Sequence, residues 1–252
     1  EREAELRKQG LYPQSLQLSS SSDHISMRGL QASADNLGAW NAAPPRRFNS
    51  EVNTAIHQSV VNNLLKRELG GRYFDQDSIV DLIEDAGMEV PAELQPQVGE
   101  NGESEPPEQW SITLDRRLPV SVTFADGNVR VAIRGRKFTR EGTTIEDPME
   151  IVATYNPKIV NGSVEANLID DVDVVFVGQE ESLSARQIGL KTFIRRKVGS
   201  ILKERFTEDD LPKGEFDQYL DDIAVQHLQS ENNWLLAGVD LDDERLQELA
   251  QE

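Results

Sequence analysis

Val120-Ser121-Val122-Thr123-Phe124-Ala125-Asp126-Gly127-Asn128-Val129-Arg130-Val131-Ala132-Ile133-Arg134 is the stretch that decides the fold. Val120, Val122 and Phe124 alternate with polar neighbours, and Val129, Val131 and Ile133 repeat the alternation. A period of two marks strands with one buried face. Asp126 and Gly127 both tolerate the positive φ of a type I′ turn, so the two strands are antiparallel neighbours. The pattern continues outward. Met149, Ile151, Ala153 and Tyr155 form one strand, Asn161-Gly162 makes a tight turn, and Val164, Ala166 and Leu168 return. Val172, Val174 and Phe176 close an antiparallel meander running from Trp110 to Val177.

Helices flank this block. From about Ser50, Val52, Ile56, Val60 and Leu64 recur at i, i+4 with Val61 and Leu65, which predicts an amphipathic helix ended by Gly70-Gly71. Asp75 is placed to N-cap a second helix carrying Ile79, Val80, Leu82 and Ile83, with Gly87 as its stop. Ser184 caps a long helix to about Phe206, with Ile188, Phe193, Val198, Ile201 and Leu202 facing inward. Residues 14–32 read as a hairpin, 33–48 as a connector stiffened by Pro44-Pro45, and 1–9 as a charged arm. Residues 95–108, rich in Pro, Gly and Glu, read as a mobile acidic linker. Ile223–Leu228 and Trp234–Val239 read as a last hairpin, and 240–252 as a short acidic helix. The fold class is α+β, with an antiparallel sheet packed against the helices at 50–67 and 184–206. The arm and hairpin of 1–48 are expected to pair with the main sheet of a domain at 49–252, and the last hairpin to extend that sheet.

The charge is segregated. The chain has 26 Lys+Arg against 45 Asp+Glu, a net of −19. Yet 12 of the basic residues fall within 130–140 and 186–205. In the first island Arg130, Arg134 and Arg136 share the exposed face of a strand, opposite Val129, Val131 and Ile133. In the second, Arg186, Lys191 and Arg195 occupy the polar side of the long helix. These six are the candidate anion- or partner-binding residues. The helix leads into residues 208–252, with 14 acids and two bases, so the islands read first as an internal docking surface and second as a site. A net of −19 argues against coating by nucleic acid. With no cysteine there are no disulfides, thiolate metal sites or Cys nucleophiles. His24, His57 and His227 follow no metal-binding or catalytic spacing, and His57 and Ser59, two apart on an expected helix, would point apart. Asp170-Asp171-Val172-Asp173 and Asp240–Glu244 lack the order of a calcium loop. No catalytic residue, cofactor or metal is expected. No apolar run reaches the ~18–20 residues of a membrane span.

Several strings resemble an uncharacterised family of large exported planctomycete proteins. They are Gly10-Leu11-Tyr12-Pro13 with the hairpin to Gln31-Ala32; His57-Gln58-Ser59 with Asn62-Asn63; Arg134-Gly135-Arg136 with Phe138; Ala153-Thr154-Tyr155; Leu183-Ser184-Ala185-Arg186-Gln187; and Trp234-Leu235-Leu236. The resemblance implies a domain of a longer extracytoplasmic protein and carries no activity. The start at Glu1-Arg2-Glu3-Ala4 rather than Met agrees with a processed chain or a fragment. In element order the chain is also similar to tubular lipid-binding domains, where a curved sheet wraps a long helix. The leading expectation is therefore a non-catalytic binding or scaffold module of a bacterial envelope or exported protein. Its partner would be another segment of the full-length protein or a separate protein. The alternative is a carrier of a lipid-like ligand between sheet and long helix.

Overall fold

The computed structural model describes residues 12–22, 24–30, 36–45, 48–85, 90–95, 97–98, 104–105, 109–178, 183–202, 204–207, 210 and 223–241. In chain order the strands are β1 (Ser15–Ser20), β2 (Ile25–Leu30), β3 (Val52–His57), β4 (Tyr73–Asp75), β5 (Gln97–Val98), β6 (Ser104–Glu105), β7 (Trp110–Leu114), β8 (Val120–Ala125), β9 (Asn128–Arg140), β10 (Thr143–Ile145), β11 (Met149–Val160), β12 (Ser163–Leu168), β13 (Asp173–Phe176), β14 (Arg205–Thr207), β15 (Ile223–Glu231) and β16 (Trp234–Leu241). The α-helices are α1 (Gln58–Leu69), α2 (Gln76–Asp85) and α3 (Ala185–Ile201). The class is α+β with antiparallel sheets and one long helix, as the pattern predicts. No described helix is long and apolar enough to cross a membrane.

The main sheet has nine strands, with the path β14-β12-β11-β9-β7-β4. Its two long strands each carry two short partners along one edge. On β9, β8 pairs with 128–133 and β7 with 135–140. On β11, β13 pairs with 149–152 and β12 with 155–160. Asp126-Gly127 takes φ values of 52° and 76°, and Asn161-Gly162 takes 53° and 87°, as type I′ turns require. A third such turn, Glu141-Gly142, joins β9 to β10 at 47° and 74°.

The pleat parity of β9 and β11 sets the core. Ile133, Val131 and Val129 lie opposite Ile151, Ala153 and Tyr155 in register, and this face meets α3. Met149 and Val174 are fully buried there, beside Phe138, Phe176, Leu190, Phe193 and Ile194. Ser184 caps α3 through a capping box. Its Oγ accepts the Gln187 amide at 3.3 Å, and Gln187 Oε1 accepts the Ser184 amide at 2.9 Å.

Several expectations change. The apolar spacing from Val52 is a strand before it is a helix. Val52–His57 is β3, and α1 starts only at Gln58, because an i, i+4 set of β-branched residues also fits alternation. The long helix stops at Ile201, and Arg205–Thr207 pairs with β12 instead. Ile188, expected inward, is 52% exposed; Leu190 and Ile194 are buried in its place. The first hairpin forms a two-stranded sheet of its own, and β15-β16-β3 forms a separate three-stranded sheet, so neither terminal hairpin extends the main one. The small sheet meets the main sheet at the β8–β9 turn instead. The Gly127 amide donates to the Ser230 carbonyl at 2.8 Å, and buried Ser230 donates its hydroxyl to the Asn128 carbonyl. Within 95–108, Gln97-Val98 pairs with Ser104-Glu105 as a small hairpin. The expected arm at 1–9, the stop at Gly87, residues 211–222 and the final helix beyond Leu241 lie outside the described residues.

The connector is a strap over the small sheet. Phe48 stacks on His227 at 4.9 Å, and Trp40 stands edge-on to His57 at 4.7 Å. Gly238 admits this layer. A Cβ there would lie 2.6 Å from Ser50 Oγ and 2.9 Å from Phe48 Cβ.

Candidate functional site

The register of β9 places the first island. Arg134 lies opposite Glu150 and Arg130 opposite Thr154, on the face away from α3. On the other side Arg130 is flanked by Thr123 of β8. The island is partly neutralised within the sheet. Arg134 Nη2 pairs with Glu150 Oε1 at 3.1 Å, and Arg136 Nε lies 3.7 Å from Asp115 Oδ2. Burial pushes the Asp115 carboxyl up. The Leu118 and Arg117 amides, with the Arg136 and Arg134 guanidiniums, outweigh it and hold the group below the usual carboxylate range. Arg130 is exposed and makes no ion pair among the described residues.

A bulge shapes the rest. Thr113 pairs with Lys137 and Leu114 with Gly135, so Arg136 is the extra residue. Beyond it the alternation slips by one. Phe138 turns into the core and Arg140 follows it, its guanidinium 4.3 Å from the centre of the Phe193 ring. Arg140 is therefore a docking residue for α3 that simple alternation assigns to no role. The only local signal is Gly135, since a glycine inside a strand marks a bulge or a close approach.

The second island docks the long helix. Arg186 Nη2 donates to the Thr144 carbonyl at 2.8 Å, and Arg195 Nε donates to the Val172 carbonyl at 2.7 Å. Lys191 Nζ lies 3.5 Å from Asp173 Oδ1. These contacts tie α3 to the loops and edge strand beside it. The six candidate residues thus divide between two surfaces: Arg130, Arg134 and Arg136 on the outer face of the sheet, Arg186, Lys191 and Arg195 on the helix that covers the inner one. The acids that meet them are Glu150, Asp115 and Asp173, whereas 208–209 and 211–222, the expected competitor, lie outside the described residues.

A set of side-chain amides, unassigned by sequence spacing, holds the other junction. Asn62 of α1 accepts the Val122 amide at 2.6 Å and donates to the Val122 carbonyl at 3.0 Å. Gln58 Oε1 accepts the Phe124 amide at 3.2 Å, and the Asn233 amide donates to the Phe124 carbonyl at 2.8 Å. The free edge of β8 is thereby closed by α1 and the β15–β16 turn. Asn63 treats Leu37 of the strap in the same two-handed way, at 3.0 and 2.8 Å. His57 and Ser59 also meet, because His57 N-caps α1 rather than lying within a helix, and Nδ1 lies 2.7 Å from Ser59 Oγ.

No family model and no curated protein matches this chain, so no match supports the planctomycete-type resemblance. Among solved structures the chain is similar to one described as the crystal structure of lipopolysaccharide binding protein, at 14% identity and a TM-score of 0.34. The alignment covers 86% of this chain and 50% of that one, so the chain spans half of that structure's length.

Proposed function

We propose that this chain is a non-catalytic binding module of a larger bacterial exported or envelope protein, and that the outer face of its main sheet takes an acidic protein segment. The observation that carries this reading is the sign of that face. Arg130, Arg134, Arg136 and Lys137 stand there against Glu150, Asp115 and Asp173, in a chain whose net charge is −19. A locally basic, solvated sheet face in an acidic protein orients an acidic partner and repels copies of the chain elsewhere. Thr123 and Thr154 beside Arg130 add hydroxyl donors of the kind that complete carboxylate recognition.

The carrier reading needs a space between sheet and α3. Met149 and Val174 at that layer are fully buried, which leaves no water-sized gap beside them.

The test is fluorescence anisotropy with a labelled oligoglutamate peptide, titrated with the whole chain between 50 and 300 mM salt as a working range. The expected result is binding that weakens steeply with salt and falls by about tenfold or more in the Arg130→Ala/Arg134→Ala/Arg136→Ala variant. Equal binding by wild type and variant dismisses the face. Lipid extracted from the purified chain and identified by mass spectrometry would favour the carrier instead.

A further inference from the structure

His57 sits where the strap, the small sheet and the start of α1 converge. Its ring is 2% exposed. Nδ1 accepts the Ser59 amide at 3.1 Å and lies 2.7 Å from Ser59 Oγ. A nitrogen that accepts an N–H carries no proton, so the neutral ring bears its hydrogen on Nε2. Nε2 is buried without a hydrogen-bond partner. Trp40 of the strap and Trp234 of β16 flank the ring at 4.7 and 4.9 Å. Asn41, next to Trp40, accepts Trp234 Nε1–H at 3.0 Å and donates to the Asn232 carbonyl at 2.6 Å.

We propose that this cluster is an acid-released latch: protonating the His57 imidazole breaks the cap of α1 and frees the Trp40 strap from the three-stranded sheet. A proton on Nδ1 turns the acceptor of the Ser59 amide into a second donor, so the cap is lost. The charge is also set at the positive end of the α1 dipole. Among the described residues no carboxylate is hydrogen-bonded or ion-paired to the ring. In the same row across the sheet, Glu231 pairs with Trp234 two strands from His57, and its oxygens accept from Gln229 and Asn232 at 2.7 and 3.1 Å. Asp240, at the far end of β16, accepts the Glu51 amide, and Asp126 belongs to the β8–β9 turn. The first turn of α1 carries no acid, and the strap sequence 33–48 carries Asp35 as well as Arg46 and Arg47. His227 of β15 is engaged with Phe48. Burial accordingly holds His57 below its ordinary value.

The sign follows from linkage. The closed latch binds fewer protons than the open one, so it is fully closed above the ordinary histidine value of about 6.5. Below it, the opening constant rises by up to about tenfold per pH unit. The working device is the strap, whose departure uncovers the buried Gly238, against which Phe48 lies.

Hydrogen exchange by mass spectrometry on the full chain tests this at about pH 7.5 and 5.5, after correction for the intrinsic rate. Protection in 36–49 and 57–63 should fall about tenfold at the lower pH, with the main-sheet segment 149–155 unchanged. His57→Asn keeps a capping side chain that does not titrate, so its protection should match at both pH values. Unchanged wild-type protection overturns the latch, as does an equal pH response in His57→Asn. Ring NMR on the wild type decides without the variant. His57 titrating at its ordinary value while 36–49 stays protected also overturns it.

Discussion

Gly135 shows how much one residue decides here. A Cβ at this position would lie 2.3 Å from Phe138 Cζ, 2.6 Å from Phe138 Cε2 and 3.0 Å from Ile112 Cδ1. The Phe138 ring is itself buried at 3% exposure, so it cannot swing away. The missing side chain is what lets Phe138 lie over β9 just past the bulge, which in turn sends Arg136 outward and Arg140 onto Phe193. Gly135→Ala should therefore cost about 1–3 kcal/mol by overpacking, measured by urea denaturation at unchanged m-value. A cost near zero would mean that the ring relocates freely. Sequence alternation reads Arg130 and Arg134 correctly because they precede the bulge. It misses Arg140 because a bulge leaves no periodic trace beyond a lone glycine.

At the scale of elements, the most exposed liability is the edge of β8. Unpaired strand edges invite pairing with other chains, and this one is closed by the Asn62 and Gln58 side chains and the Asn233 turn amide rather than by another strand. Asn62 contributes both an acceptor and a donor to Val122, so Asn62→Ala leaves two backbone groups of a partly buried strand without partners. The expected loss is ~1–3 kcal/mol for each group that water does not reach, read as a lowered urea midpoint. Asn62→Asp should recover only the acceptor half. β8, β9, β11, β12 and β13 were legible because burial on one face imposes a period on the residues, and the start of α3 was legible from its Ser184 cap. β3 was not, since Val52, Thr54 and Ile56 satisfy a strand while Val52, Ile56 and Val60 satisfy a helix. The pairing of the terminal hairpins was not legible either. Alternation fixes which face a strand buries, but not which sheet it joins.

For the whole molecule, the contrast between basic islands and acidic remainder separates into two kinds of work. One island lies on the outer sheet face, where Arg130 makes no ion pair among the described residues, and three residues of the other, Arg186, Lys191 and Arg195, tie α3 to Thr144, Val172 and Asp173. Composition reveals that charge is segregated. Only the pleat and the helix position reveal that the two islands face different ways. A paired titration separates the roles most directly: oligoglutamate binding and thermal unfolding measured on Arg130→Glu and Arg195→Ala. Arg130→Glu should weaken the peptide by about tenfold while leaving Tm nearly unchanged. Arg195→Ala should bind the peptide as wild type does, yet lose about 1 kcal/mol, a fall of a few degrees in Tm, because the Val172 carbonyl loses its charged donor. Peptide binding lost in Arg195→Ala and retained in Arg130→Glu would contradict the assignment of the outer sheet face as the binding surface.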